Sequence, residues 1–247
     1  EIQYLLVNIP PRYMKSLSVS VFWPTWEWTW WPESRWLTSS YGAGLAIRDA
    51  LKSRRLIQSN WYQENWGNVF QLTGDQNQKS RYENDKTGYR IATTVGGTGT
   101  GEGGDRILVD DPLKQTDAHS EAKRTAANEW WDQTMSTRGN DPETAAWLIV
   151  CQRLHENDLP GYIQDRMQRG VEDYELLIIP EEYEPTLYTT LLGLEVEANQ
   201  YETSLGWSDP RTEPGELMWP ARFPRKRVDI QKIKLGSMAT ASQLQQH

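Results

Sequence analysis

At 247 residues, with 24% charged and 37% hydrophobic side chains, the chain is long enough to bury a large core and too apolar for gross disorder. Its formal net charge of -8 excludes wholesale coating of nucleic acid, which relies on Lys and Arg displacing counterions, so any contact with DNA is local. Cys151 is the only cysteine, which excludes an intrachain disulfide and a cysteine-built zinc site and points to a reducing, cytosolic setting.

No apolar run is long enough to cross a bilayer, and the first residues lack the basic-then-apolar layout of a signal peptide, so no membrane partner is expected. The chain opens without methionine, directly in an apolar strand, and closes in a polar run, so both ends read as cuts within a longer protein. The three histidines, His119, His155 and His247, are scattered, which leaves oxygen as the ligand for any metal.

In chain order, Tyr4 to Ile9 reads as a strand and Lys15 to about Trp30 as the helix after it. Strands are expected near Trp36 to Ser40, Val69 to Leu72, Tyr89 to Thr94, Arg106 to Val109, Ala146 to Cys151 and Tyr174 to Ile179. Helices are expected at about Gly44 to Gln58, Ser120 to Met135 and Asp158 to Arg169, with Ser120 as a cap. Two further helical stretches, Val228 to Leu235 and Ser237 to Gln246, follow a Glu-, Pro- and Tyr-rich segment. Strand and helix alternate as in βα units with a mainly parallel sheet, and a boundary near Pro185 divides a core, 1–185, from a lid or linker, 186–247.

Six tryptophans crowd one short segment, and Trp23, Trp26 and Trp30 recur at helical spacing, which favours aromatic packing over a base-stacking platform. The basic run Arg222, Arg225, Lys226, Arg227, Lys232 and Lys234 reads equally as a DNA contact or a solvated helix face. The acids within Glu181 to Glu184 and Glu195 to Glu197 read as solvated surface.

The first strand runs into Ile9-Pro10-Pro11-Arg12-Tyr13-Met14-Lys15-Ser16 and then an apolar helix. That is the setting of a phosphate-binding loop, in which backbone N–H groups surround phosphate oxygens, a Lys reaches the outer phosphates and a hydroxyl holds Mg²⁺. Lys15 and Ser16 take the last two roles, Arg12 adds a guanidinium, and the amides from Arg12 through Tyr13 and Met14 face the anion because Pro10 and Pro11 have none to offer. Ile9 and Met14 stand where the usual pattern has glycine. A second strand ends in Asp110-Asp111-Pro112, where Asp110 suits Mg²⁺ and Asp111 suits activation of the attacking water. A third ends in Gln152 and Arg153, which either sense the outer phosphate or, for Arg153, pair with Glu156 or Asp158. The run Gly96 to Gly104 lacks a following Lys-Ser helix start and reads as a mobile connection.

These pieces, in this order, resemble the large terminase subunits of tailed bacteriophages and related prophages. The resemblance also rests on Arg55-Leu56-Ile57-Gln58-Ser59 with Trp61-Tyr62, Gly88 to Thr94, Asn128-Glu129-Trp130-Trp131, Gln152 to Leu159 and Glu213 to Pro220. It implies an α/β P-loop NTPase of the additional-strand type that binds ATP and Mg²⁺ and drives double-stranded DNA into a procapsid. Its implied partners are the portal protein, the small terminase subunit and further copies of itself in a ring, a pentamer on the portal. It also implies adenine contacts before the first strand and a nuclease beyond His247. Some relatives place an arginine at the position of Glu102 to reach a neighbouring ATP site; Arg106 or Arg138 is the nearest substitute here. Two other functions remain open, a helicase-type P-loop ATPase and a nucleotide-binding assembly module that hydrolyses nothing.

Overall fold

In the computed structural model, which describes residues 2–97, 101–193 and 201–247, the apolar runs pair into one eight-stranded sheet. Its strands are β1 (Tyr4–Asn8), β2 (Trp36–Ser40), β3 (Leu72–Asn77), β4 (Arg81–Asn84), β5 (Tyr89–Thr94), β6 (Arg106–Asp110), β7 (Ala146–Cys151) and β8 (Glu175–Ile178). They lie in the order β3-β4-β5-β2-β6-β7-β1-β8, parallel from β5 to β8, with β3 and β4 added antiparallel at one edge. The expected mixed α/β class with a mainly parallel sheet flanked by helices is therefore the fold observed.

Central parallel strands read as unbroken apolar runs because helices cover both faces. Leu6, Ile107, Val109 and Ile149 pack on one side with Trp130, Trp131 and Ile163, from α5 (Glu121–Gln133) and α6 (Leu159–Gln168). Val7, Leu108, Leu148 and Val150 face the other way, toward Val19 and Trp23. Those two belong to a helical run made of α1 (Lys15–Leu17), a π turn (Ser18–Phe22) and α2 (Trp23–Glu27). Helices α3 (Ala43–Ile57) and α4 (Asn60–Trp66) cover the edge beside β5, and Ser59 caps α4 by accepting the Tyr62 N–H at 3.3 Å. Ser120 sits at the start of α5, but its side chain makes no capping bond.

After β8 come α7 (Leu187–Leu192) and α8 (Arg225–Ala239), the latter broken at Gly236, whose φ of 74° ends the regular helix before a π turn at Thr240–Leu244. Leu187 joins the core beside Leu176 and Ile178, and the Tyr188 and Tyr201 hydroxyls bond the backbone of β8. On α8, Arg225 and Lys232 pair with Glu182, while Lys226, Arg227 and Lys234 stay exposed. Among the described residues, no helix is long and apolar enough to cross a membrane.

The strand placed at Val69 to Leu72 begins instead at Leu72 and pairs with β4, a polar hairpin that buries Tyr82 on one face and so carries no apolar run. The tryptophans do not share a helical face: Trp26 and Trp30 are 58% and 55% exposed, whereas Trp28 is buried against Phe70 and Tyr82. The π turn and the end of α2 at Glu27 take these residues off the 3.6-residue period. The centre of the glycine run, 98–100, and the acids Glu195 and Glu197 lie outside the described residues.

Candidate nucleotide site

Parallel pairing delivers the carboxyl ends of β1, β6 and β7 to one edge, with Asn8 beside Cys151 and Asp110 beside Val150. The chain leaves β1 through a loop in which Arg12 (φ 74°) and Met14 (φ 63°) are both left-handed. Glycine is the usual occupant of such positions, and a larger residue there costs about 1–2 kcal/mol. The loop thus takes a glycine conformation at Met14 without the glycine. The Met14 carbonyl then accepts the Ser18 N–H at 2.9 Å and starts the helical run.

Lys15, Ser16, Asp110 and Asp111 converge at this corner. Lys15 is buried, and its Nζ lies 3.2 Å from Asp111 Oδ2. Ser16 Oγ donates to Asp110 Oδ1 at 3.1 Å, and Ser20 Oγ donates to Oδ2 at 2.7 Å. Successive strand residues normally point to opposite faces. The left-handed turn at Asp111 (φ 49°) ends that alternation, so two adjacent carboxylates meet adjacent residues of one helix.

Burial pushes the Asp110 carboxyl up to about 6 from an ordinary 3.8; the neighbouring Asp111 adds to the shift, while Ser20, Ser16 and Lys15 oppose it. The folded protein therefore holds this proton where the unfolded chain has lost it, and stability falls as pH rises through that window. Above it the cost of the buried charge is complete. Asp110→Asn removes that charge, so the nucleotide-free variant should melt above the wild type at pH 8. Thermal denaturation should show the difference closing as pH falls toward 4.

Arg12 is exposed, with no partner among the described residues. Tyr13 turns its side chain inward, away from solvent. Gln152 borders Asp111 in a small cavity, with a buried Oε1 that has no hydrogen-bond partner among the described residues. Arg153 does not reach this corner as a sensor. It is 2% exposed, pairs with Asp158 at 3.0 Å, and donates to Gln164 Oε1 and to the carbonyls of His155 and Glu156.

Arg106 is likewise committed: it pairs with Glu27 at 3.0 Å and lies over the Trp31 ring, at the far end of β6 from Asp110. It is not a projecting arginine. Arg138 sits at that same edge, where its carbonyl accepts the Gly104 N–H, and its Nε is buried with no hydrogen-bond partner among the described residues. Glu102 pairs with Arg81 at 2.6 Å.

Sequence reading missed Ser20, although its four-residue spacing from Ser16 places both hydroxyls on one helical face. It also missed Arg48 on α3. Hydrogen bonding to Asp49 chiefly raises the Arg48 pKa, against the effect of burial, and the charges of Asp49 and then Asp110 add to it.

By sequence, no protein-family model matches the chain, and no curated protein does either. By structure, the chain is similar to the large terminase from a thermophilic bacteriophage. In complex with ADP that protein matches over 100% of this chain and 48% of its own, at 9% identity and a TM-score of 0.50. A second structure of it, in the same crystal form, matches over the same shares at 8% identity and a TM-score of 0.51. In this chain β7 separates the strand before the loop, β1, from the strand bearing the two acids, β6. The chain therefore shares its mixed α/β fold, a mainly parallel sheet flanked by helices, with a phage large terminase, and it spans about half that protein's length.

Proposed function

We propose that this chain is the ATP-hydrolysing motor domain of a viral DNA-packaging terminase, coupling hydrolysis of ATP to movement of double-stranded DNA into a procapsid. One observation carries the reading: Lys15, Ser16, Asp110 and Asp111 meet at the carboxyl edge of a parallel sheet, with the Lys15–Asp111 pair at 3.2 Å and the Ser16–Asp110 pair at 3.1 Å. ADP bound to the thermophilic phage terminase supports an adenine nucleotide as the ligand.

In this reading the backbone amides of Arg12, Tyr13, Met14, Lys15 and Ser16 face the phosphates, and the exposed guanidinium of Arg12 closes over them. Lys15 exchanges Asp111 for the outer phosphates. That exchange frees the Asp111 carboxylate to accept a proton from the attacking water. Ser16 and Asp110 are hard oxygen donors in contact with each other, the donor set Mg²⁺ takes when phosphates and water fill its remaining positions. When bound, the ion would neutralise charge on the phosphate oxygens. Gln152, with its unpaired carbonyl oxygen beside Asp111, orients the water or reports the outer phosphate.

The working assembly in this proposal is a ring, a pentamer docked on the portal protein, with DNA in its channel and the small terminase subunit as a further partner. Arg138 is the remaining candidate to reach a neighbouring copy's site. Lys15→Ala should lower phosphate release from Mg·ATP by about 10²–10³-fold, the usual cost of losing a charge-stabilising donor. ADP binding without any phosphate release, even with DNA and portal protein present, would instead identify a non-hydrolysing assembly module.

A further inference from the structure

The loop assigned to the phosphates has two left-handed residues, Arg12 and Met14, and neither is glycine. Nothing in their own chemistry favours that shape, so contacts outside the loop must hold it. Tyr13 lies between them and is the buried side chain of the stretch 11–14, at 8% exposure. Its hydroxyl donates to Glu181 Oε1 at 2.5 Å, and its ring packs on Phe223 at 4.7 Å and Trp219 at 6.4 Å.

The far side of this contact is itself fixed. Glu181 is 3% exposed; its N–H donates to the Leu244 carbonyl at 2.8 Å, and its own carbonyl accepts the Met218 N–H at 2.9 Å and Arg211 Nη1 at 3.3 Å. Burial and the neighbouring carboxylate push the Tyr13 phenol far above its ordinary range, so the proton stays on Tyr13. The Phe223 N–H is tied to the Trp219 carbonyl at 2.9 Å, and the Arg222 guanidinium lies over both rings. This hook leads directly into α8.

Resting on the nucleotide reading above, we propose that Glu181, Trp219 and Phe223 form a clamp that sets the shape of the phosphate loop through Tyr13. The carboxy-terminal segment is then part of the nucleotide site rather than an appendage to it. Tyr13, Glu181 and Phe223 are positioning residues in this scheme. Coupling is reciprocal: a clamp that favours the binding-competent loop is in turn strengthened by nucleotide, which links the loop to α8.

The test uses the full chain with Phe223→Ala, with Tyr13→Phe as a variant that keeps the ring and loses only the bond to Glu181. Labelled ADP should bind about tenfold more weakly to Phe223→Ala, and amide hydrogen exchange across residues 12–16 should quicken in the nucleotide-free variant. Adding Met14→Gly should restore most of the affinity, because glycine holds a positive φ unaided. A general loss of packing would not be rescued by glycine at that one position. The clamp is overturned if exchange at 12–16 and ADP affinity both match wild type in Phe223→Ala and Tyr13→Phe, or if Met14→Gly restores nothing. Quickened exchange in a protein whose wild type binds no ADP keeps the clamp and removes the nucleotide reading.

Discussion

Asp111→Asn should lower phosphate release from Mg·ATP by about 10²–10⁴-fold, the usual contribution of a positioned general base, while ADP binding is retained or tightened. The carboxylate stands at the end of β6 with Oδ2 3.2 Å from Lys15 Nζ, and it is partly open to solvent at 27% side-chain exposure. Asparagine keeps the size of the side chain and tolerates the left-handed backbone observed at φ 49°. The substitution therefore isolates the charge from the shape. It also removes the group that holds Lys15 before nucleotide arrives, which is why affinity should not fall. Phosphate release and ADP titration on the same preparation separate the two effects. Equal release from wild type and variant would remove the role assigned to Asp111.

Arg153→Ala should cost about 3–5 kcal/mol of stability, the usual penalty for stranding one half of a buried ion pair. Arg153 and Asp158 are each 3% exposed at the side chain, with Nε and Oδ1 3.0 Å apart. Asp158 also accepts the N–H groups of Leu154 at 2.8 Å, His155 at 3.2 Å and, as the cap of α6, Gly161 at 3.1 Å. The pair thus shapes the whole turn that carries Gln152 out of β7. Arg153→Lys should rescue little, because one ammonium cannot meet the Asp158, Gln164 and backbone acceptors together. Thermal denaturation is the measurement. A variant as stable as wild type but unable to hydrolyse ATP would return Arg153 to the sensing role.

Which parts were legible in the sequence follows from how each is buried. β1, β6 and β7 stood out because parallel strands covered on both faces are written as plain apolar runs, and the residues that follow or end them fall at the ligand edge. Lys15, Ser16, Asp110 and Asp111 were singled out by that position, and the fold brings them to one corner. The β3–β4 hairpin was not, since an edge pair that buries one face needs only an occasional Tyr82. Nor could Tyr13 be paired with Glu181, a contact between residues 168 apart in sequence.

The glutamine-rich end shows a different limit. Its polar text, Ser237 to Gln246, reads as a helical stretch with no face to bury, yet Gln243 and Gln246 are buried, and Gln246 Oε1 accepts the Arg153 N–H at 3.1 Å. Gln246 meets a distant backbone N–H, and Gln243 Oε1 accepts from Gln115 Nε2 at 3.3 Å, contacts that composition does not encode. Arg106 was misjudged for a related reason: its partner, Glu27, sits in the tryptophan-rich segment, 79 residues away.

The central claim, a hydrolysing nucleotide site built on Lys15, is tested most directly by phosphate release from Mg·ATP. The assay compares wild type with Lys15→Ala, each alone and with double-stranded DNA and portal protein. The expected result is release by wild type that is lost in Lys15→Ala while the variant keeps the wild-type circular dichroism spectrum. No release by wild type under any of these conditions, or equal release by both proteins, would contradict it.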